Sequence, residues 1–187
     1  MRKTYYALIA ILLLLLLTAC TGLPGKITIL GTPSTTTTSS QVQEMGGEQQ
    51  LAQQLLQNIN QDRAANHLPA LAWEPRLQGS GRQHNLVMAA GCGLQHECPN
   101  EPDLGKRISQ QGVHWLAVGE NIGEANPILS STDASRMLMA IHKGMMDEKP
   151  PDDGHRQNLL SKNFHRIGIA VSIDTSHTLW VTEDFAN

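Results

Sequence analysis

His165-Arg166-Ile167-Gly168-Ile169-Ala170-Val171-Ser172-Ile173-Asp174 is followed by Thr175-Ser176-His177 and then by Thr178-Leu179-Trp180-Val181-Thr182-Glu183-Asp184-Phe185. The first segment alternates Ile167, Ile169, Val171 and Ile173 against Gly168, Ala170 and Ser172, the period-2 signature of a strand with one large and one small face. Asp174-Thr175-Ser176 is turn material, so 178–185 is predicted to return as an antiparallel partner. The small face admits a helix at close range. Helices before and between strands, closing on such a hairpin, predict an α+β layered domain.

Outward from the hairpin the spacing turns helical. Met137, Leu138, Ile141, Met145 and Met146 line one face of a helix predicted over 132–146, with Thr132 or Asp133 as its cap. Its methionines read either as core filling or as a ligand groove. Leu51, Leu55 and Ile59 recur every fourth residue beside Ala52 and Leu56, predicting a helix from Glu48 that stops near His67, ahead of Pro69. Pro75 suits the first turn of another helix, with Leu77, His84, Val87 and Met88 inward and Gly91 at its end. Gly79 and Gly81 weaken that helix and are read as points of close packing. A first strand is predicted over 113–118. Trp73, Trp115 and Trp180 are expected in the core, and His67, His114, His142, His165 and His177 on the surface.

The chain has 187 residues, 40% hydrophobic and 17% charged, with a formal net charge of −3. That composition excludes a disordered protein, and it supplies no basic patch for nucleic acid. Arg2 and Lys3 precede an apolar run over 7–17, too short for the roughly 20 residues that span a bilayer but of signal-peptide length. Leu17-Thr18-Ala19-Cys20 resembles a bacterial lipobox. It implies a lipoprotein signal peptide over 1–19 and acylation of Cys20, where two or more chains anchor a protein stably. The alternative is a plain secretory signal. Loss of 1–19 leaves 12 basic against 17 acidic side chains. Residues 20–47, rich in Thr and Ser, are read as a flexible tether. The domain is then 48–187.

Three segments carry candidate chemistry. Cys92 and Cys98 bracket Gly93-Leu94-Gln95-His96-Glu97, and in an exported chain a disulfide is the natural pairing. The alternative is a soft-metal site of Cys92, His96 and Cys98. The second segment is Gly119-Glu120-Asn121-Ile122, after the first predicted strand. The third is Gly154-His155-Arg156-Gln157-Asn158-Leu159-Leu160, after the loop 149–153. Gln78-Gly79-Ser80-Gly81 has the wrong register for a nucleophile elbow, and His96-Glu97 does not continue into a zinc-protease motif.

In this order, and with Asn60, Arg63, Leu68 to Trp73, Phe164 to Val171 and Val181 to Ala186, these segments resemble the CAP superfamily of cysteine-rich secretory, antigen 5 and pathogenesis-related proteins, also called the SCP domain. The likeness spans about 51–186 and is closest to bacterial exported members. It implies a three-layer α–β–α sandwich with a central antiparallel sheet and a surface cleft of two histidines and two acids. By motif these are His96, His155 and Glu120, with Glu148 as the second acid or Asp147 in its place. His84 is expected to pack or hydrogen-bond near the cleft. Asn121 and Asn158 are expected to fix loop backbones.

Two neutral imidazoles can take a divalent metal such as zinc, making His96 and His155 the candidate ligands. The same residues could act as general acid and base. With no nucleophile motif, the expectation leans away from an enzyme. It favours an exported, membrane-tethered binding module for a lipid, wall or protein ligand. The alternatives are a metal-dependent envelope hydrolase and a structural envelope protein with a vestigial cleft.

Overall fold

The structure is a computed structural model that describes residues 39–187, with side chains from 47 onward. The expected signal peptide over 1–19, Cys20 and the part of the expected tether before residue 39 lie outside the described residues. In chain order the elements are α1 (Ser39–Ala65), β1 (Ala72–Trp73), α2 (Pro75–Val87), α3 (Leu104–Gln110), β2 (Val118–Ala125), α4 (Ser131–Asp147), α5 (Gly154–Leu159), β3 (Arg166–Ile173) and β4 (Leu179–Ala186). A π-helical turn, Met88–Cys92, continues α2.

The sheet order is β1-β3-β4-β2. β3 and β4 form the antiparallel hairpin read from the sequence, β4 pairs antiparallel with β2, and the two-residue β1 joins β3 in parallel. The sheet is therefore mixed, with antiparallel pairing dominant. α1, α4 and α5 cover one face. Ala52, Leu55 and Ile59 of α1 and Leu138 and Met145 of α4 meet Ile167, Ile169, Val171, Val181 and Phe185 there. α2 and α3 cover the other face, completing an α–β–α sandwich.

The small face of β3 does what its composition allows. A Cβ on Gly168 would lie 2.0 Å from the Gln78 amide nitrogen and 2.3 Å from the Leu77 carbonyl carbon, so α2 rests directly on the sheet there. Gly81 approaches Thr182 and Ala170 in the same layer.

α1 starts at Ser39, inside the segment read as tether. Its end is a Schellman turn. His67 takes φ 59°, His67 N–H donates to Ala64 and Leu68 N–H to Arg63, a role usually given to glycine. Ser130, rather than Thr132 or Asp133, caps α4 by accepting from the Asp133 amide.

The strand predicted over 113–118 is displaced. β2 begins at Val118, and 113–117 form a connection with Trp115 and Leu116 exposed. Trp115 is thus outside the core, its ring over Gly105 and its Nε1 donating to Ser109. His142 is buried rather than on the surface, its Nε2 2.7 Å from Asp62 Oδ2 between α4 and α1. Among the described residues no helix is long and apolar enough to cross a membrane.

Candidate functional site

The sheet edge at β2 carries the site. Because β2 is outermost, side chains from both helical layers can reach over it. Alternate residues of β2 face opposite layers. Glu120, cross-strand from Asp184, faces the α2–α3 side, and Asn121, cross-strand from Glu183, faces the α4–α5 side. Glu120 therefore comes from within a strand, not from a strand-end turn.

On the α2–α3 side, Glu120 is clamped. Arg107 of α3, 1% exposed, donates from its guanidinium to Glu120 Oε2, leaving Oε1 to bind His96 Nδ1 at 2.9 Å. His96 stands on the loop closed by the Cys92–Cys98 disulfide. Gly91 and Gly93 flank Cys92 at φ 120° and 75°, a backbone that favours glycine. The sulfur of Cys92 is thereby committed to Cys98, which replaces the alternative grouping of Cys92, His96 and Cys98 around a metal.

On the other side, Glu148 follows α4 and serves the first turn of α5. One oxygen accepts the His155 and Arg156 backbone N–H groups at 3.1 and 3.3 Å, and the other meets His155 Nδ1 at 2.5 Å. Glu148 thus lines the cleft, while Asp147 turns away to an exposed pair with Lys143. Asn158 donates to the Glu120 carbonyl and to Asn121 Oδ1, and Asn121 donates to the His155 carbonyl and to Glu183. These amides hold backbone, but that of β2 and α5 rather than of loops, and so tie the helix to the strand.

The result is an open cleft of 570 Å³ lined by His96, Glu120, Glu148, His155 and also Asp152, which the sequence had not singled out. The His96 and His155 rings lie with centroids 6.5 Å apart and planes tilted by 32°. Each Nδ1 is held by a carboxylate, so each ring presents Nε2 as its remaining nitrogen. Among the described residues neither Nε2 has a hydrogen-bond partner.

Behind Glu120 lies a buried polar cluster, of which the sequence pointed to His84 beside the cleft but not to its partners Glu101 and Arg107. His84 Nδ1 meets Glu101 Oε2 at 2.8 Å, and His84 Nε2 is 3.9 Å from Glu120 Oε1. His84, Cys98 and Glu101 bring one donor atom each within 4.8 Å of one another, a geometry compatible with metal coordination. Asp184, fully buried, is pushed well above the usual carboxylate range by burial and then by the charge of Glu120, which favours its neutral carboxyl form. Glu183, on the opposite face in the apolar layer, is raised to about 7 by burial, against the hydrogen bond from Asn121. Both acids are buried because consecutive residues of β4 point to opposite faces of the sheet and helices cover each of them.

Residues 56–185 match the family described as the cysteine-rich secretory protein family, CAP. No curated protein matches the sequence. Among solved structures, an extracellular protein containing an SCP domain from Bacillus anthracis str. Ames is 24% identical with a TM-score of 0.62, over 80% of this chain and 44% of that one. An outer surface protein from Borrelia burgdorferi is 13% identical with a TM-score of 0.61, over 74% of this chain and 92% of that one. A cysteine-rich secretory protein from Staphylococcus aureus subsp. aureus Mu50 is 18% identical with a TM-score of 0.53, over 74% and 39%. This chain therefore spans less than half the length of the Bacillus and Staphylococcus proteins, and the likeness at these identities is one of fold. The fold, the ordered cleft residues and the match over 56–185 place the chain in the cysteine-rich secretory protein (CAP) family.

Proposed function

We propose that this protein is an exported, lipid-anchored CAP-domain binding module whose ligand seats against His96 and His155. The observation that carries the reading is the pair of neighbouring imidazoles, each held through Nδ1 by a buried or half-buried carboxylate. With Nδ1 engaged, the Nε2 of each cleft-lining ring is left to act as a donor, an acceptor or a ligand. The candidate ligands are a lipid, a cell-wall component or a protein. Export follows from the proposed signal peptide over 1–19 and anchoring from Cys20. The extracellular and outer-surface descriptions of the Bacillus and Borrelia proteins support export.

The donor set also fits a divalent metal such as zinc. A carboxylate on the far nitrogen is the usual support of a metal-ligating histidine. One zinc held by both Nε2 atoms would set the ring centroids about 5 Å apart, against 6.5 Å here, a closure open to two partly exposed side chains. When bound, such an ion would supply Lewis acidity and an activated water. That support favours a second reading, a metal-dependent envelope hydrolase, in which Glu120 and Glu148 hold the imidazoles and Asp152 stands near enough to the cleft to take a proton.

Native mass spectrometry of the protein purified from its own host tests both readings, because it reports metal and organic ligand together. His155→Ala is expected to abolish retention of either. It should cost less than about 1 kcal/mol in the metal-free melt, since Glu148 keeps both backbone donors. A ligand retained unchanged by folded His155→Ala would overturn the reading.

A further inference from the structure

Cys98 is buried beside two donors that the cleft does not use. His84 is fully buried, and its Nε2 has no hydrogen-bond partner among the described residues; the same holds for Glu101 Oε1, on a side chain only 5% exposed. Unpartnered polar atoms at this depth are costly, which calls for a ligand or a change of state that satisfies them. We propose that reduction of the Cys92–Cys98 disulfide opens a second metal site, in which Cys98, His84 and Glu101 hold one zinc ion. Its three ligands are distinct from the cleft histidines, although Glu120 stands between the two sites.

The donor chemistry selects the metal. One thiolate, one imidazole and one carboxylate form a mixed sulfur, nitrogen and oxygen set suited to zinc with an open fourth position. The three donors lie within 4.8 Å of one another, whereas ligands of a tetrahedral zinc stand about 3.3–3.8 Å apart, so a shift of about 1 Å completes the site. Release of Cys98 from Cys92 supplies that freedom, because the following residues Pro99 and Asn100 are exposed. His84 Nδ1 already faces Glu101 at 2.8 Å. Zinc would replace that contact at Nδ1, and Nε2, carrying the proton, would have to close from 3.9 Å onto Glu120 Oε1 to gain its missing partner and complete a carboxylate–histidine–zinc arrangement.

The charges also close. Arg107 lies between Glu120, to which it donates, and Glu101, whose Oε1 is 3.7 Å from its Nε. Zinc neutralises the Cys98 thiolate and the Glu101 carboxylate, and Arg107 remains matched by Glu120. In the reduction, a phosphine supplies two electrons and takes the oxygen of a water to become the phosphine oxide, the S–S bond breaks, and the two protons of that water leave both sulfurs as thiols. On zinc binding, the Cys98 S–H bond breaks, its proton passes to solvent and the sulfur–zinc bond forms.

Cobalt(II) added to the full chain tests this, because a thiolate–cobalt charge-transfer band appears only when sulfur ligates. The oxidised protein should lack the band. Phosphine-reduced protein, and Cys92→Ser without reductant, should develop it at one equivalent. In the Cys92→Ser background, Glu101→Gln and His84→Gln should each weaken cobalt by about tenfold or more. His96→Ala with His155→Ala should leave the band in place, which separates this site from the cleft. Absence of the band in Cys92→Ser with a native circular dichroism spectrum would overturn the proposal. So would a band indifferent to both Glu101→Gln and His84→Gln, or one lost with the cleft histidines.

Discussion

Glu183→Gln is expected to stabilise the protein at neutral pH and to flatten its stability–pH profile. Glu183 is 1% exposed and lies on β4 in the layer shared by Val181, Phe185 and Ile169. Burial raises it from an ordinary 4.5 to about 7, because an apolar layer disfavours the charged form. In the folded chain it therefore stays protonated over a range where the unfolded chain has released the proton. Stability is then greatest below about pH 4.5 as far as this group is concerned, and it falls as pH rises through 7. At 1.36 kcal/mol per unit, the interval corresponds to about 3 kcal/mol.

The amide introduced by Glu183→Gln would remove the titration while keeping an oxygen to accept from Asn121 Nδ2, now 2.9 Å from Glu183 Oε2. The measurement is urea unfolding of both proteins at a series of pH values from about 4.5 to 8. The wild-type curve should descend relative to the variant by about 3 kcal/mol over that range. Asp184, raised in the same direction, leaves a residual slope of the same sign in the variant. Parallel curves would refute the reasoning, since they would mean that Glu183 ionises alike in both states.

Gly168→Ala should cost about 3 kcal/mol or more in urea unfolding, because the clash at 2.0 Å is with backbone of α2 and no side chain can yield; a cost under about 0.5 kcal/mol would refute the contact. Arg63, buried in α1, donates to the Pro69, Leu159 and Ser161 carbonyls, so Arg63→Met should lower stability by about 3 kcal/mol or more by calorimetry, and Arg63→Lys should restore only part. Cys20→Ala should shift the protein from the detergent to the aqueous phase on partitioning, or block its processing; unmodified Cys20 in membrane-extracted mature protein would refute acylation.

What the sequence disclosed, and what it hid, follows from how each residue is used. The β3–β4 hairpin was legible because its alternation is set by burial on both faces, and the small face foretold the close approach of α2 at Gly168. α1 was legible from its fourfold spacing. β2 was not, because Val118–Ala125 contains Gly119, Glu120, Asn121, Gly123 and Glu124, residues poor in strand propensity. That strand exists because β4 offers eight backbone partners, a tertiary cause that no local window contains. Conversely, Val113, Trp115 and Ala117 alternate like a strand but find no ladder. The cluster of His84, Glu101 and Arg107 was hidden for the same reason: these residues come from α2, a loop and α3 and meet only in the fold.

The weak strand character of β2 is linked to the cleft. Edge strands tolerate charged and glycine residues that a central strand would exclude, and they leave one side open. Gly119 admits the Phe164 ring and the Asn158 amide at distances no Cβ would allow, which draws α5 and its His155 against the edge. Glu120, one residue on, points to the opposite layer, where Arg107 holds one oxygen and leaves the other for His96. A single Gly-Glu-Asn step thus fixes a histidine from each side of the sheet: His96 through the Glu120 carboxylate, and His155 through Asn121 and Asn158. His96 stands on a loop and its ring is held by Glu120 of the sheet edge, whereas His155 stands on the first turn of α5, its ring held by Glu148 and its backbone by Asn121 of β2, and that makes the two histidines a preformed pair.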